Sequence, residues 1–176
     1  MQQTKLLGAI IQRDLRWDSN TANLVRRANS RIVLLRKLSE FGAPIEDLKT
    51  IYISYIRSVL ELNSVVWHFA LTEKKMDFER VQKSACKIRM KSKYTNYYKS
   101  LEILDIEKLN DRRINLCTIF ARKSERNSSV PFTLSDNIHP MTTRKPNKYK
   151  VTFCRTERYT NSAIPRMQEL LNQDQE

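Results

Sequence analysis

The residues best placed to do chemistry are cations. Arg80, Lys83, Lys87 and Lys91 are spaced i, i+3, i+7 and i+11. On an α-helix, at about 100° and 1.5 Å per residue, the four fall within an arc of about 80° and span about 16 Å. That is the reach of several successive phosphates, which lie roughly 3.4 Å apart along one strand of a duplex. Arg89 and Lys93 flank the stripe, and the only acids from Lys75 to Lys99 are Asp77 and Glu79. A merely solvated helix face usually mixes signs, because opposite charges four residues apart attract. Here like charges stand at that spacing, and a polyanion would relieve their repulsion. Tyr94, Tyr97 and Tyr98 follow at once. Rings beside a basic stripe either stack on bases or pack the next helix.

Chemistry beyond binding finds no support in the residues. There is no paired-carboxylate motif, glycine-rich phosphate loop or nucleophile motif. Asp14 and Asp18 flank a turn with nothing to join them. His68 and His139 are the only histidines, and His68, beside Trp67, reads as helix-end packing. Cys86, Cys117 and Cys154 are odd in number and lack a CxxC pair. They fit neither a disulfide framework nor a zinc site, and read as thiols of a reducing compartment. The expectation is no catalytic residue, no metal, no cofactor and no small-molecule substrate.

The whole chain agrees with the stripe. Its 176 residues carry 32 Lys+Arg against 19 Asp+Glu, a net charge of +13. Such a field attracts polyanions, nucleic acid first and an anionic membrane surface second. No apolar run approaches the roughly 18 residues of a membrane span, and the polar start Met1–Thr4 leads into no signal-peptide core. An intracellular protein of the cytoplasm or nucleus is expected, without a membrane partner.

The elements that must hold these residues are mostly helices, since only 2 glycines are present and hairpins favour glycine. Lys5–Ile11 reads as one strand with Gly8 inside it, and lacks a partner at hairpin distance. Trp17 reads as a core plug, and Asp18 or Ser19 as the cap of the first helix. Leu24, Ala28, Ile32, Leu35 and Leu38 form its buried face, with Arg26, Arg27 and Lys37 off that face and Arg31 at its edge. Gly42 ends it. Pro44 opens the first turn of a second helix, apolar through Leu48, Ile51, Tyr52, Tyr55, Val59, Leu62 and Val66 and closed by Trp67 and Phe69.

Thr72 caps the third helix, whose buried face is Phe78, Val81, Ala85 and Ile88. Asp105 caps a fourth, with Leu109, Leu116, Cys117 and Phe120 buried and Arg112 and Arg113 on its surface. Periodicity stops from Ser124 to Pro146. Lys148–Arg155 then alternates as a short strand or extended arm, and Ser162–Leu171 forms a last helix with Pro165 in its first turn. The fold class is therefore mainly α: a helical bundle with a short N-terminal strand and an extended C-terminal tail. Three stretches are expected, 1–17, 18–124 and 125–176.

With the elements in this order the sequence resembles the C-terminal part of the reverse transcriptase of a jockey-like non-LTR (LINE-type) retrotransposon. Lys5-Leu6-Leu7-Gly8-Ala9-Ile10-Ile11 with Leu15-Arg16-Trp17 resembles the segment after that family's palm. Ala28-Asn29-Ser30-Arg31 with Leu34-Leu35-Arg36 is similar to its first thumb helix. Ile51 through Glu61, followed by Val65-Val66-Trp67, is similar to the second. Phe78-Glu79-Arg80-Val81-Gln82-Lys83 resembles its L-E-R-V-Q-K helix. Beyond the thumb, Arg112-Arg113, Leu116-Cys117, Phe120-Ala121, Thr143-Arg144, Tyr149-Lys150-Val151, Ser162-Ala163-Ile164-Pro165 and Leu170-Leu171-Asn172 continue the match. Leu62 and Met90 depart from it, and the palm with its catalytic aspartates is outside the chain.

The resemblance implies a thumb-like bundle that grips template–primer duplex, with Leu7 and Gly8 as the remnant of a primer-grip hairpin. Arg80, Lys83, Lys87 and Lys91, joined by Arg26 and Arg27, would contact RNA–DNA or RNA duplex without sequence choice, and the missing palm would be a further partner. The alternative is an inactive retroelement remnant or a domesticated protein-interaction module.

Overall fold

The computed structural model describes residues 3–71, 75–130, 132, 134 and 148–173. Thr72, His139 and Thr143-Arg144 lie outside the described residues. The fold is mainly α, with one short antiparallel hairpin at the N-terminal side. The chain divides into two compact units: Met1–Ser64 with Leu71–Arg113, and Val65–Ala70 with Ile114–Glu176.

The first unit opens with β1 (Gln3–Leu6) and β2 (Ala9–Gln12), paired from Gln3 opposite Gln12 to Leu6 opposite Ala9. The single strand expected over Lys5–Ile11 is thus a hairpin. Its turn is Leu7-Gly8, with φ of 45° and 86°, the two positive values of a primed two-residue turn. The signal was masked because leucine fills the first position, where Asn or Asp is usual.

β2 then prepares the start of α1 (Asp18–Glu40). Neither Asp18 nor Ser19 caps this helix. Trp17 holds the N-cap position at φ 64°, with no side-chain cap. Gln12 Oε1 instead accepts the Ser19 N–H at 2.8 Å, and Asn20 Oδ1 accepts the Ile10 N–H at 3.0 Å. Helix and hairpin satisfy each other's backbone, and the Trp17 ring is buried as a plug. Leu24, Ala28, Ile32 and Leu35 form the buried face, which packs on the helix over Lys75–Met90. Gly42, at φ 84°, ends α1; its N–H reaches the Ser39 carbonyl at 3.2 Å, and the Ala43 N–H reaches that of Leu38 at 3.1 Å.

Pro44 is the N-cap of α2 (Ile45–Ile51), one residue before the first turn. The helix passes through a π segment (Tyr52–Arg57) into α3 (Ser58–Leu60). A turn over 61–63 follows, with Asn63 at φ 54°, and then α4 (Ser64–Trp67). The expected unbroken helix to Val66 therefore ends at Leu60. Leu48, Tyr52, Ile56 and Leu60 are buried at four-residue steps, whereas Tyr55 and Val66 are 43% and 50% exposed. A plain α-helix would carry each such step about 40° further round. The wider π turn, closed by i→i+5 bonds, keeps the steps on one side.

In α5 (Lys75–Met90), Phe78, Val81 and Ala85 are buried as expected, together with Gln82, Cys86, Arg89 and Met90. A 3-10 turn (Lys91–Lys93) follows. The next helix is α6 (Tyr97–Ile103), capped by Asn96, whose side chain accepts the Lys99 N–H at 2.8 Å. Asp105, at φ 49°, lies in the turn after it and does not cap α7 (Leu109–Arg126). That role belongs partly to Glu79, whose Oε1 accepts the Asn110 N–H at 2.9 Å. Along α7 the buried line is Leu109, Arg113, Cys117, Ala121 and Ser124. Phe120, expected inside, is 42% exposed, and Arg113, expected on the surface, is 1% exposed. The Arg113 guanidinium lies 4.1 Å from the centre of the Phe78 ring, so an aromatic face receives its charge.

The second unit has a small core of Ala121, Tyr149, Met167 and Leu171, with Val65, Phe132 and Ala163 packed against it. The helices wholly within it are α8 (Glu157–Thr160) and α9 (Ala163–Gln173), with Pro165 in the first turn of α9 as expected. No strand forms among the described residues of Lys148–Arg155; Tyr149 makes a single bridge to Leu134. Side chains of α9 replace a neighbouring strand. The Tyr149 N–H donates to Asn172 Oδ1 and the Tyr149 carbonyl accepts from Asn172 Nδ2, both at 2.9 Å. The Thr152 N–H donates to Gln168 Oε1 at 3.1 Å. The alternation of apolar residues was real, but Phe153 is 85% exposed.

Candidate nucleic-acid interface

The roll of α5 is set by its buried side. Lys83 and Lys87, with Arg80 one turn before them, are exposed on the other. Arg80 is held by Asp77 at 2.7 Å. Lys83 has no hydrogen-bond or ion-pair partner among the described residues. The Lys87 ammonium lies 5.6 Å from the centre of the Tyr94 ring. Lys91 does not continue the stripe as an α-helical residue. It sits at φ 49° in the 3-10 turn, and its ammonium donates to the Ser39 carbonyl at 2.5 Å. A cation there suits the negative end of α1.

Arg26 of α1 is exposed, and its Nη2 donates to Asn23 Oδ1 at 3.2 Å. It lines an open groove of about 750 Å³ with Thr21, Val25, Asn29, Ser30 and Asp77. Asp77 also holds Arg80, so Arg26 and the start of the α5 stripe border the same groove. Arg27 is half-buried. Leu7 and Gly8 form the hairpin tip. The Leu7 carbonyl accepts from Asn63 Nδ2 at 2.9 Å, and a Cβ on Gly8 would stand 3.3 Å from Leu62 Cδ2. The tip is thus fastened to the turn after α3.

Arg89, expected to flank the stripe, is 4% exposed. Its guanidinium nitrogens are buried without a hydrogen-bond partner among the described residues. Burial lowers its proton affinity, countered by the nearby Cys86, Glu46 and Tyr52.

A polar network behind the stripe escaped the sequence reading. The Tyr52 hydroxyl donates to Gln82 Oε1 at 2.5 Å. Gln82 Nε2 donates to the Tyr97 hydroxyl at 3.0 Å and to the Glu107 carbonyl at 2.9 Å. The Tyr97 hydroxyl donates to Glu79 Oε2. Burial pushes both tyrosine hydroxyls well above their ordinary range, and at Tyr97 the bond to Glu79 adds to the rise. Nearby, Glu61 accepts from Arg112 Nε at 2.6 Å, with Arg57 at 3.7 Å, so Arg112 braces α7 against the end of α3. The clue to Gln82 was its position: an amide between Val81 and Ala85, on the apolar side of α5. Tyr97 belongs to this network, whereas Tyr98 is 67% exposed.

Among the described residues no three His, Cys, Asp or Glu side chains are grouped to hold a metal ion. His68 is buried, edge-on to Phe69 at 4.9 Å. Cys86 and Cys117 are buried and unbridged, and burial pushes the Cys86 thiol up to about 11. No helix of the described residues is long and apolar enough to cross a membrane. No protein-family model matches the chain, and no curated protein or solved structure shows significant similarity to it.

Proposed function

We propose that the chain is a non-catalytic nucleic-acid-binding module, the thumb and post-thumb part of a jockey-like non-LTR reverse transcriptase. It grips template–primer duplex through the outer face of α5. The observation that carries this reading is the pair Lys83 and Lys87, both exposed in a stretch with no acid between Glu79 and Glu102. The two lie about 6 Å apart along the helix axis and cannot turn inward without exposing Phe78 and Val81. Contacts of this kind hold phosphate without reading bases, so binding falls with salt and ignores sequence. The wide, shallow minor groove of an RNA–DNA or RNA duplex suits a helix face. The palm of the parent polymerase would be its protein partner.

The test is fluorescence anisotropy with an RNA–DNA hybrid, a DNA duplex and single strands over a salt series. On B-form DNA the log–log slope is expected near −0.9 per neutralised phosphate. Lys83→Glu with Lys87→Glu lowers affinity by tenfold or more and makes the slope shallower by about one per lost contact. Unchanged affinity in the folded double variant sinks this reading of the stripe. A second reading, an inactive remnant or protein-interaction module, has the hairpin in its favour: Leu6 and Leu7 are 57% and 87% exposed. A folded monomer that ignores every nucleic acid at low salt selects that reading.

A further inference from the structure

Two tyrosines stand at the end of the basic face with lysine ammoniums on their rings. Lys108 Nζ is 4.8 Å from the centre of the Tyr98 ring, and Lys87 Nζ is 5.6 Å from that of Tyr94. Tyr98 is 67% exposed, so much of its ring is open to a ligand. Tyr97 is taken up by Gln82 and Glu79, and its ring is tilted 51° against Tyr98 at 5.7 Å. Asn96 caps α6 and so holds Tyr98 in the first helical turn.

We propose that Tyr94 and Tyr98 form a stacking platform for unpaired nucleotides leaving the end of a duplex held by Lys83 and Lys87. This rests on the nucleic-acid reading above and names the ligand of its far end. Tyr98 is the fourth residue after Tyr94, so their Cα atoms lie within about 14 Å of each other, the span of a few nucleotides. Lys87 is common to both parts, exposed on α5 beside Lys83 and in contact with Tyr94. A strand whose phosphates follow Lys83 and Lys87 therefore arrives at the rings. Lys93, Lys99 and Lys108 are exposed around them, supplying the charge that accompanies stacked bases in proteins that bind single strands. An ammonium on one side of a ring leaves the other side for a base. A blunt duplex has no unpaired base to offer and gains nothing from the platform.

The experiment compares a blunt RNA–DNA hybrid with the same hybrid bearing a four-nucleotide single-stranded extension, at one salt concentration. The wild-type chain is expected to bind the extended hybrid about tenfold more tightly, from the stacking of one or two bases. Tyr98→Ala removes most of that difference and leaves the blunt hybrid unaffected, whereas Tyr98→Trp restores it. Exposure of Tyr98 means the alanine variant keeps its fold, which circular dichroism and the thermal midpoint verify. If Tyr98→Ala keeps the full preference for the extension, or the wild type shows none, the platform is wrong while the duplex reading stands. If the wild type binds neither hybrid, both fail together.

Discussion

Gln82 joins three parts of the first unit through one side chain. Its amide accepts from Tyr52 and donates to Tyr97 and the Glu107 carbonyl, linking the π segment, α6 and the approach to α7. Gln82→Ala leaves the buried Tyr52 hydroxyl without that partner, at about 1–3 kcal/mol for a buried group left unsatisfied. The expected outcome is a lower urea midpoint at unchanged slope; a midpoint equal to the wild type removes the network from the account of stability. At this scale the sequence was readable where one property decided. Leu24 and Phe78 are buried because nothing polar competes. Arg89 and Arg113 were misjudged because charge suggested solvent, while helical phase placed them on the packed side. A long guanidinium side chain follows its Cα inward when a ring such as Phe78 receives it.

Elements were legible where their signals are local. Gly42 ended α1 and Pro165 opened α9, as their backbone preferences require. The start of α1 and the start of α7 were not legible, because Gln12 and Glu79 come from other elements and no local pattern contains them. The π segment was hidden for another reason: the run from Leu48 to Leu60 is rich enough in apolar residues to suit either helix type. The hairpin carries a testable cost. Leucine at φ 45° pays the left-handed strain that asparagine largely avoids. Leu7→Asn is therefore expected to stabilise the chain by about 1 kcal/mol, seen as a higher thermal midpoint, while leaving the carbonyl that Asn63 holds. A lower midpoint would mean the exposed leucine contributes contacts that outweigh the strain. Gly8→Ala acts in the opposite direction, since φ is 86° and Leu62 crowds the new methyl.

For the molecule as a whole, charge was the property most directly readable, and the acid response follows from one contact. Glu125 accepts from Lys148 Nζ and from the Tyr149 hydroxyl, each at 2.5 Å. The bond from Lys148, then that from Tyr149, holds its carboxyl below the ordinary 4.5. The stabilisation is complete above that value and is lost as pH falls through the lowered folded one. Amide resonances of Tyr149 and Thr152 are expected to drift toward disordered positions over that acid range, and Glu125→Gln to abolish the drift. A drift unchanged in Glu125→Gln would assign it to another group.

The second unit also has a consequence for how this chain can be cut. Val65–Ala70 belongs to it by packing, yet lies between two stretches of the first. Val65 sits on the Ala121–Tyr149–Met167–Leu171 core, whose residues all lie much further along the chain. No single break in the gene yields both units whole. Ending at Arg113 strands Val65–Ala70 without its companions, and starting at Ile114 removes that piece from the core it covers. Separating the two units takes three junctions, after Ser64, after Ala70 and after Arg113, so neither can be moved to another protein as a single continuous cassette.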